Sequence, residues 1–273
     1  MRRPGGKQKG ATEMTIFCCE DTVDGIFTGI YDAWDSGLGL ANVTVQAGEN
    51  HDRSLFASYV ITETDHGKAQ KVARTLRTRM GMEDYQVIYQ AALSSGEDKG
   101  AVIFAAAVLG LAVLRRKNIT RNLGNTQIMR LFELSRRVEK EGHHYRMFLR
   151  FRELEHGEGE EAVMAAQIEP ESQVLPLLGE HFAQRFPMMN FMIYDRTHSQ
   201  CLVHPGGRQW VIAQDVRIEE AQITRYSREE EEYARLWRGF VSSVAIKERE
   251  NPRCQMNFMP KKYWKYMTEH DPA

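Results

Sequence analysis

Residues 115–152 read RRKNITRNLGNTQIMRLFELSRRVEKEGHHYRMFLRFR. The stretch holds eleven Lys and Arg against three acids, in a chain whose formal net charge is −1. Cations are therefore concentrated here and acids elsewhere. Ile128, Leu131, Leu134 or Ser135, Val138, Gly142 and Tyr145 fall at helical spacing, with Asn125 or Thr126 as N-cap after Gly124. From Arg146 the period becomes two. Arg146, Phe148, Arg150 and Arg152 alternate with Met147, Leu149 and Phe151, which predicts a strand with a cationic face. The reading is a basic helix running into a basic strand.

Two accounts fit that charge. A basic cluster that neutralises several phosphates is the electrostatic footprint of nucleic-acid binding. The alternative is a solvated helix face beside a strand whose arginines pair with the chain's own glutamates. Residues 153–232 supply them, with sixteen acids against six basic residues.

Working outward, 14–19 reads as a short buried strand. Asp21 or Thr22 caps a helix with Val23, Ile26, Phe27, Ile30 and Trp34 on one face. Residues 37–54 are polar and Gly/Asn-rich, which predicts a loop, and 55–61 is strand-like. Asp65 caps a second helix, a third covers 83–94, and the apolar run 101–114 is too short to span a bilayer and predicts a buried helix. Beyond the basic segment, 146–154 and 162–168 predict an antiparallel hairpin. Pro176 suits the first turn of a helix over 175–186. Strands are predicted at 191–194, 200–204 and 209–213. Ser227-x-x-Glu230 is a capping-box pattern opening a last helix, with Tyr233, Leu236, Trp237, Phe240 and Val244 as its stripe.

The expected architecture is α+β. It comprises an N-terminal helical layer, a mixed or antiparallel sheet over about 146–213, and a C-terminal helix with a basic tail. Residues 1–13 are expected to be a flexible basic tail, with no apolar core of a secretory signal. Residues 14–273 are taken as one domain in three parts: a mostly helical half to 120, the basic helix and β-rich core over 121–226, and the C-terminal helix and basic aromatic tail over 227–273. The 42% hydrophobic and 27% charged content is ordinary for a soluble globular chain. Four cysteines with no CxxC pair point to a reducing cytoplasm and to no self-contained zinc or iron–sulfur site. No metal or other cofactor is expected, and no membrane association.

For chemistry, the candidates are His143, His181 and Asp195. Histidine suits proton transfer near neutral pH, and Asp195 ends a strand before a turn, where it is equally a turn-former. Each stands beside a cation: Arg146, Arg185 and Arg196 respectively. The candidate nucleic-acid contacts are Arg136, Arg137, Lys140, Arg150 and Arg152 of the basic segment, with Arg185 and Arg196. In the tail, Lys261, Lys262 and Trp264 combine charge with an aromatic, which suits backbone contact plus stacking, or simply docks the tail on the core. No phosphate-binding Gly loop and no HExxH is present.

Five stretches carry a family resemblance: VEKEGHHYRMFLRF (138–151), IEPESQVLPLLGEHFAQRF (168–186), MIYD (192–195), GGRQW (206–210) and LWRGFVSSVAIKERENPRCQMNFMPKKYWKYMTE (236–269). Together they resemble a bacterial family described as DNA repair or DNA metabolism proteins. Met147 departs from the pattern, since relatives tend to have Gly before Phe148. The resemblance implies DNA as a partner and a radical-SAM protein as the enzyme acted with. It also implies kinship to domains fused to uracil-DNA glycosylases. The function expected is an accessory protein of DNA repair or modification. The alternatives are a nucleic-acid-processing hydrolase or lyase using His143, His181 and Asp195, or a protein-interaction scaffold. Whether the chain is an enzyme is left open, as is its oligomeric state.

Overall fold

The computed structural model describes residues 14–48, 56–114, 118–122 and 124–270. The expected tail over 1–13, Arg115, Arg116 and Lys117 lie outside the described residues. The fold is α+β, and contacts divide it into two compact units, one ending at Val138 and the other beginning at Glu139.

The first unit contains β1 (Met14–Cys19), α1 (Val23–Asp35), β2 (Val43–Ala47), β3 (Ala57–Ile61), α2 (His66–Arg79), α3 (Met82–Ala92) and α4 (Lys99–Val108). A π-helical turn, Leu109–Leu114, follows α4 where the sequence pattern predicts uninterrupted helix. Both predicted side-chain caps form. Thr22 accepts from the Gly25 N–H, and Asp65 accepts from the Lys68 N–H. The strands make a parallel sheet in the order β2-β1-β3. β2 corrects the expected loop over 37–54. Val43 and Val45 alternate with polar residues and are 4% and 1% exposed, enough apolar area to hold a strand against β1. α4 packs so close to β2 that a Cβ on Gly100 would lie 2.7 Å from the Val45 carbonyl oxygen. Glycine is required there by space alone.

The basic segment forms α5 (Thr126–Phe148), within which the two units divide. Its cap is Asn125, whose side chain accepts from the N–H groups of Gln127 and Ile128. Ile128, Leu131 and Leu134 complete the core of the first unit. The strand predicted from Arg146 is corrected: helix continues to Phe148, and the strand is only β4 (Arg152–Glu153). Tyr145 and Phe148 both pack on the ring of Tyr263, at centroid distances of 4.9 and 5.7 Å. Residues three apart meet one neighbour on a helix and would point to opposite faces of a strand. That packing overrides the local alternation.

The second unit adds β5 (Met164–Ile168), α6 (Leu175–Arg185), β6 (Phe191–Asp195), β7 (Gln200–His204) and β8 (Val211–Ala213). They form a mixed five-stranded sheet in the order β4-β5-β6-β7-β8, with only β5 and β6 parallel. One face carries Ala166, Ile168, Phe191, Ile193 and Leu202 against α6, the end of α5 and Tyr263. The other carries Ala165, Tyr194 and Cys201 against Ile223. α6 crosses β7 at Gly179, where a Cβ would meet Leu202 at 2.6 Å and Trp210 at 2.9 Å. The chain continues through α7 (Glu220–Ile223), α8 (Arg228–Val244), α9 (Pro252–Phe258) and 3-10 turns over Lys261–Tyr266 and Thr268–His270. The predicted stripe of α8 exists as a face, but Tyr233, Leu236, Trp237, Phe240 and Val244 are all exposed.

Candidate nucleic-acid interface

The end of α5 and the outer side of α6 enclose an open cleft of about 740 Å³. His143, Arg146 and Met147 reach it from helical spacing i, i+3, i+4 on α5, and Arg150 and Phe151 from the segment that follows. His181 and Arg185, four apart on α6, share the facing side. Phe151, Phe182 and Phe186 supply an apolar floor, Phe151 meeting the other two edge-on at 5.1 and 6.1 Å.

Among the described residues, no acid lines this cleft. Among the described residues Arg146 and Arg185 enter no ion pair, and neither His143 nor His181 makes a side-chain hydrogen bond. Arg150 differs, donating to Glu269 at 2.8 Å. The His181 imidazolium is disfavoured by burial and then by the neighbouring charges of Arg146 and Arg185, so its pKa lies below the ordinary histidine value. Desolvation and uncompensated positive charge act together here. The environment is one an anion would relieve.

The other sequence candidates are distributed differently. Asp195 is not among the residues lining the cleft. It is fully buried, accepts from the N–H groups of Thr197 and His198, and pairs with the His198 Nδ1 at 2.7 Å. Its carboxylate is occupied in holding the β6–β7 turn. Arg152 donates to Glu230 at 3.2 Å and stacks on Tyr226, its guanidinium carbon 3.5 Å from the ring centroid. Arg196 lies 3.7 Å from Glu169 and 3.6 Å from Glu220. Arg136, Arg137 and Lys140 are exposed on α5 and enter no ion pair among the described residues.

In the tail, Lys262 donates to Glu141 and Glu171, both at 3.0 Å. Trp264 stacks on His270 at 4.2 Å, and Lys261 is exposed above the Trp264 ring. Lys262 thus ties the tail to Glu141 and Glu171, while Trp264 packs within the tail itself.

Arg146 belongs to the cleft although period-two spacing sets it with Arg152. Extending the helical period one more turn places it beside His143. Among the described residues, no group of three or more His, Cys, Asp or Glu is placed to hold a metal ion. No helix there is long and apolar enough to cross a membrane.

The family model for the domain of unknown function DUF4130 matches residues 97–269. No curated protein matches the chain. Among solved structures, the crystal structure of a Methanococcus jannaschii protein assigned as a family II inorganic pyrophosphatase is 10% identical. The match covers 77% of this chain and 97% of that one at a TM-score of 0.20, too low to carry any inference about fold or function.

Proposed function

The chain belongs to the DUF4130 family of domains of unknown function, and we propose that it binds nucleic acid with its phosphates in the cleft between α5 and α6. The observation that carries this reading is a cleft lined by His143, Arg146, Arg150, His181 and Arg185 with no carboxylate of the described residues among its walls. Cations normally find acids on a protein surface, and most surface pairs contribute little. Arg150 is answered by Glu269, but Arg146 and Arg185 are left uncompensated beside a partly desolvated His181, which favours an external anion. The Phe151, Phe182 and Phe186 floor adds apolar surface beside the charge, the combination used to hold a nucleic-acid strand.

The finer reading is an accessory protein of DNA repair or modification, acting in the cytoplasm alongside a radical-SAM enzyme. Support for the partner and the process is the sequence resemblance. Support for the compartment is four cysteines without a disulfide pattern.

The test is fluorescence anisotropy with a labelled oligonucleotide at fixed ionic strength. Arg146→Ala and Arg185→Ala should each weaken binding by roughly tenfold, and equally across sequences. Arg208→Ala, an exposed arginine outside the cleft, should leave binding unchanged. Wild-type protein that fails to bind, or cleft variants that bind as the wild type does, would sink the reading.

A further inference from the structure

The second unit holds another pocket, of about 400 Å³, whose walls include Arg150, Arg152, Gln167, Tyr226, Tyr266 and Thr268. Arg150 lines both this pocket and the cationic cleft, so the two sites adjoin through one side chain. Their chemistry differs. The cations of the pocket are matched by carboxylates: Arg150 by Glu269 at 2.8 Å, Arg152 by Glu230 at 3.2 Å and Lys265 by Glu169 at 2.5 Å. Glu220 on the wall lies 3.6 Å from Arg196. A charge-balanced pocket does not select an anion. It suits an uncharged, polar ligand.

Two buried polar side chains supply the hydrogen-bonding edge. Gln167 lies within the strand MAAQI and is 8% exposed, and its one side-chain hydrogen bond among the described residues is a long 3.4 Å contact from Arg196 to its carbonyl oxygen. Its amide N–H groups have no protein acceptor among those residues. Thr268 is also 8% exposed, and its hydroxyl makes no hydrogen bond there. The amide and the hydroxyl are not sealed from solvent, so both are available at one pocket to a ligand with complementary donors and acceptors. Flat surfaces are at hand in the Arg152–Tyr226 stack and the Tyr266 ring. The volume falls in the range of small-molecule sites, roughly 300–1,000 Å³.

We propose that this pocket takes a single unstacked nucleobase from the strand whose phosphates occupy the cleft. The proposal rests on the nucleic-acid reading of that cleft and adds what happens to a base beside it. A strand held by its phosphates past Arg150 brings its bases to the pocket mouth. Guanidinium and tyrosine planes stack on an extruded base, while an amide reads its hydrogen-bonding edge.

The test compares short single-stranded homopolymers of each base with an abasic backbone of the same length. Wild-type protein should bind at least one base-bearing strand about tenfold more tightly than the abasic one. Gln167→Leu and the near-isosteric Thr268→Val, each checked for folding by circular dichroism, should erase that preference and leave abasic binding unchanged. Arg185→Ala should weaken both ligands together. A wild type that ignores the bases, or pocket variants that keep the preference, overturns the base pocket while the cleft reading stands. Binding to neither ligand overturns both.

Discussion

His181 and Asp195 show how differently two polar residues in similar sequence surroundings can be used. Each precedes or follows a cation in the chain, yet Asp195 is fully buried and its two oxygens serve the turn that follows it. His181 instead faces a cleft, with its pKa pushed down by burial, by Arg146 and by Arg185. The sign gives a prediction. Removing a cation should raise that pKa, so Arg185→Ala should move the His181 titration upward when followed by NMR. A bound polyanion should raise it as well, which means binding takes up a proton. Affinity should therefore increase as pH falls through the raised, bound-state pKa. It should level off below the lower pKa of the free protein. An unmoved titration in both experiments would show that neither Arg185 nor the anion is felt at His181.

At the scale of elements, the end of α5 is fixed by one carboxylate. Glu141 is 6% exposed and accepts from the N–H groups of Glu171 and Ser172 and from Lys262. It thereby ties the segment before α6 and the C-terminal turns to the helix. Burial alone would raise its pKa. The Glu171 N–H, Lys262 and the Ser172 N–H outweigh burial, leaving the pKa below the ordinary glutamate value. Glu141→Gln should cost about 1–3 kcal/mol near neutral pH, read from urea unfolding. A lowered folded-state pKa contributes stability that is fully present above the unfolded value, about 4.3, and is lost as pH falls through the folded value. The variant should therefore lose less stability than the wild type on acidification. Parallel losses down to roughly pH 3 would mean Glu141 is not the group titrating.

α8 illustrates a cap with a divided role. Ser227 accepts from the Glu230 N–H as the capping-box pattern predicts. The Glu230 carboxylate takes the N–H of Glu153 and the guanidinium of Arg152. The motif located the helix start. It did not foretell that its glutamate would anchor β4.

For the whole molecule, a net charge of −1 conceals strong segregation: the basic run 115–152 is followed by a segment with sixteen acids and six basic residues. The folded second unit answers Arg150 and Arg152 with Glu269 and Glu230 but leaves Arg146 and Arg185 uncompensated. Nucleic-acid binding should consequently be strongly salt-dependent. A plot of log affinity against log salt should become shallower by about 0.7–0.9 for each of Arg146 and Arg185 replaced by Ala. The same slope in wild type and double variant would mean that those arginines touch no phosphate.

The sequence by itself determined the α+β class, most element positions, the caps at Asp65 and Ser227, and a sheet after the basic helix; it narrowed two other caps to Asp21 or Thr22 and Asn125 or Thr126, and the sheet to mixed or antiparallel. Those features depend on local chemistry: hydrophobic period, side-chain oxygens at helix starts, Pro and Gly at turns. Tertiary structure alone decided that Arg146 to Phe148 is helix, because Tyr263, more than a hundred residues on, selects the helical placement of Tyr145 and Phe148. It also decided that β2 is a strand, because β1 is there to pair with Val43 and Val45. Above all it decided which cations are answered by acids. Arg146 and Arg150 look alike in sequence, and only folding brings a carboxylate to Arg150 while Arg146 faces His181 across the cleft. The Arg150–Glu269 pair is long-range, set by which distant segments meet, and no local pattern encodes it.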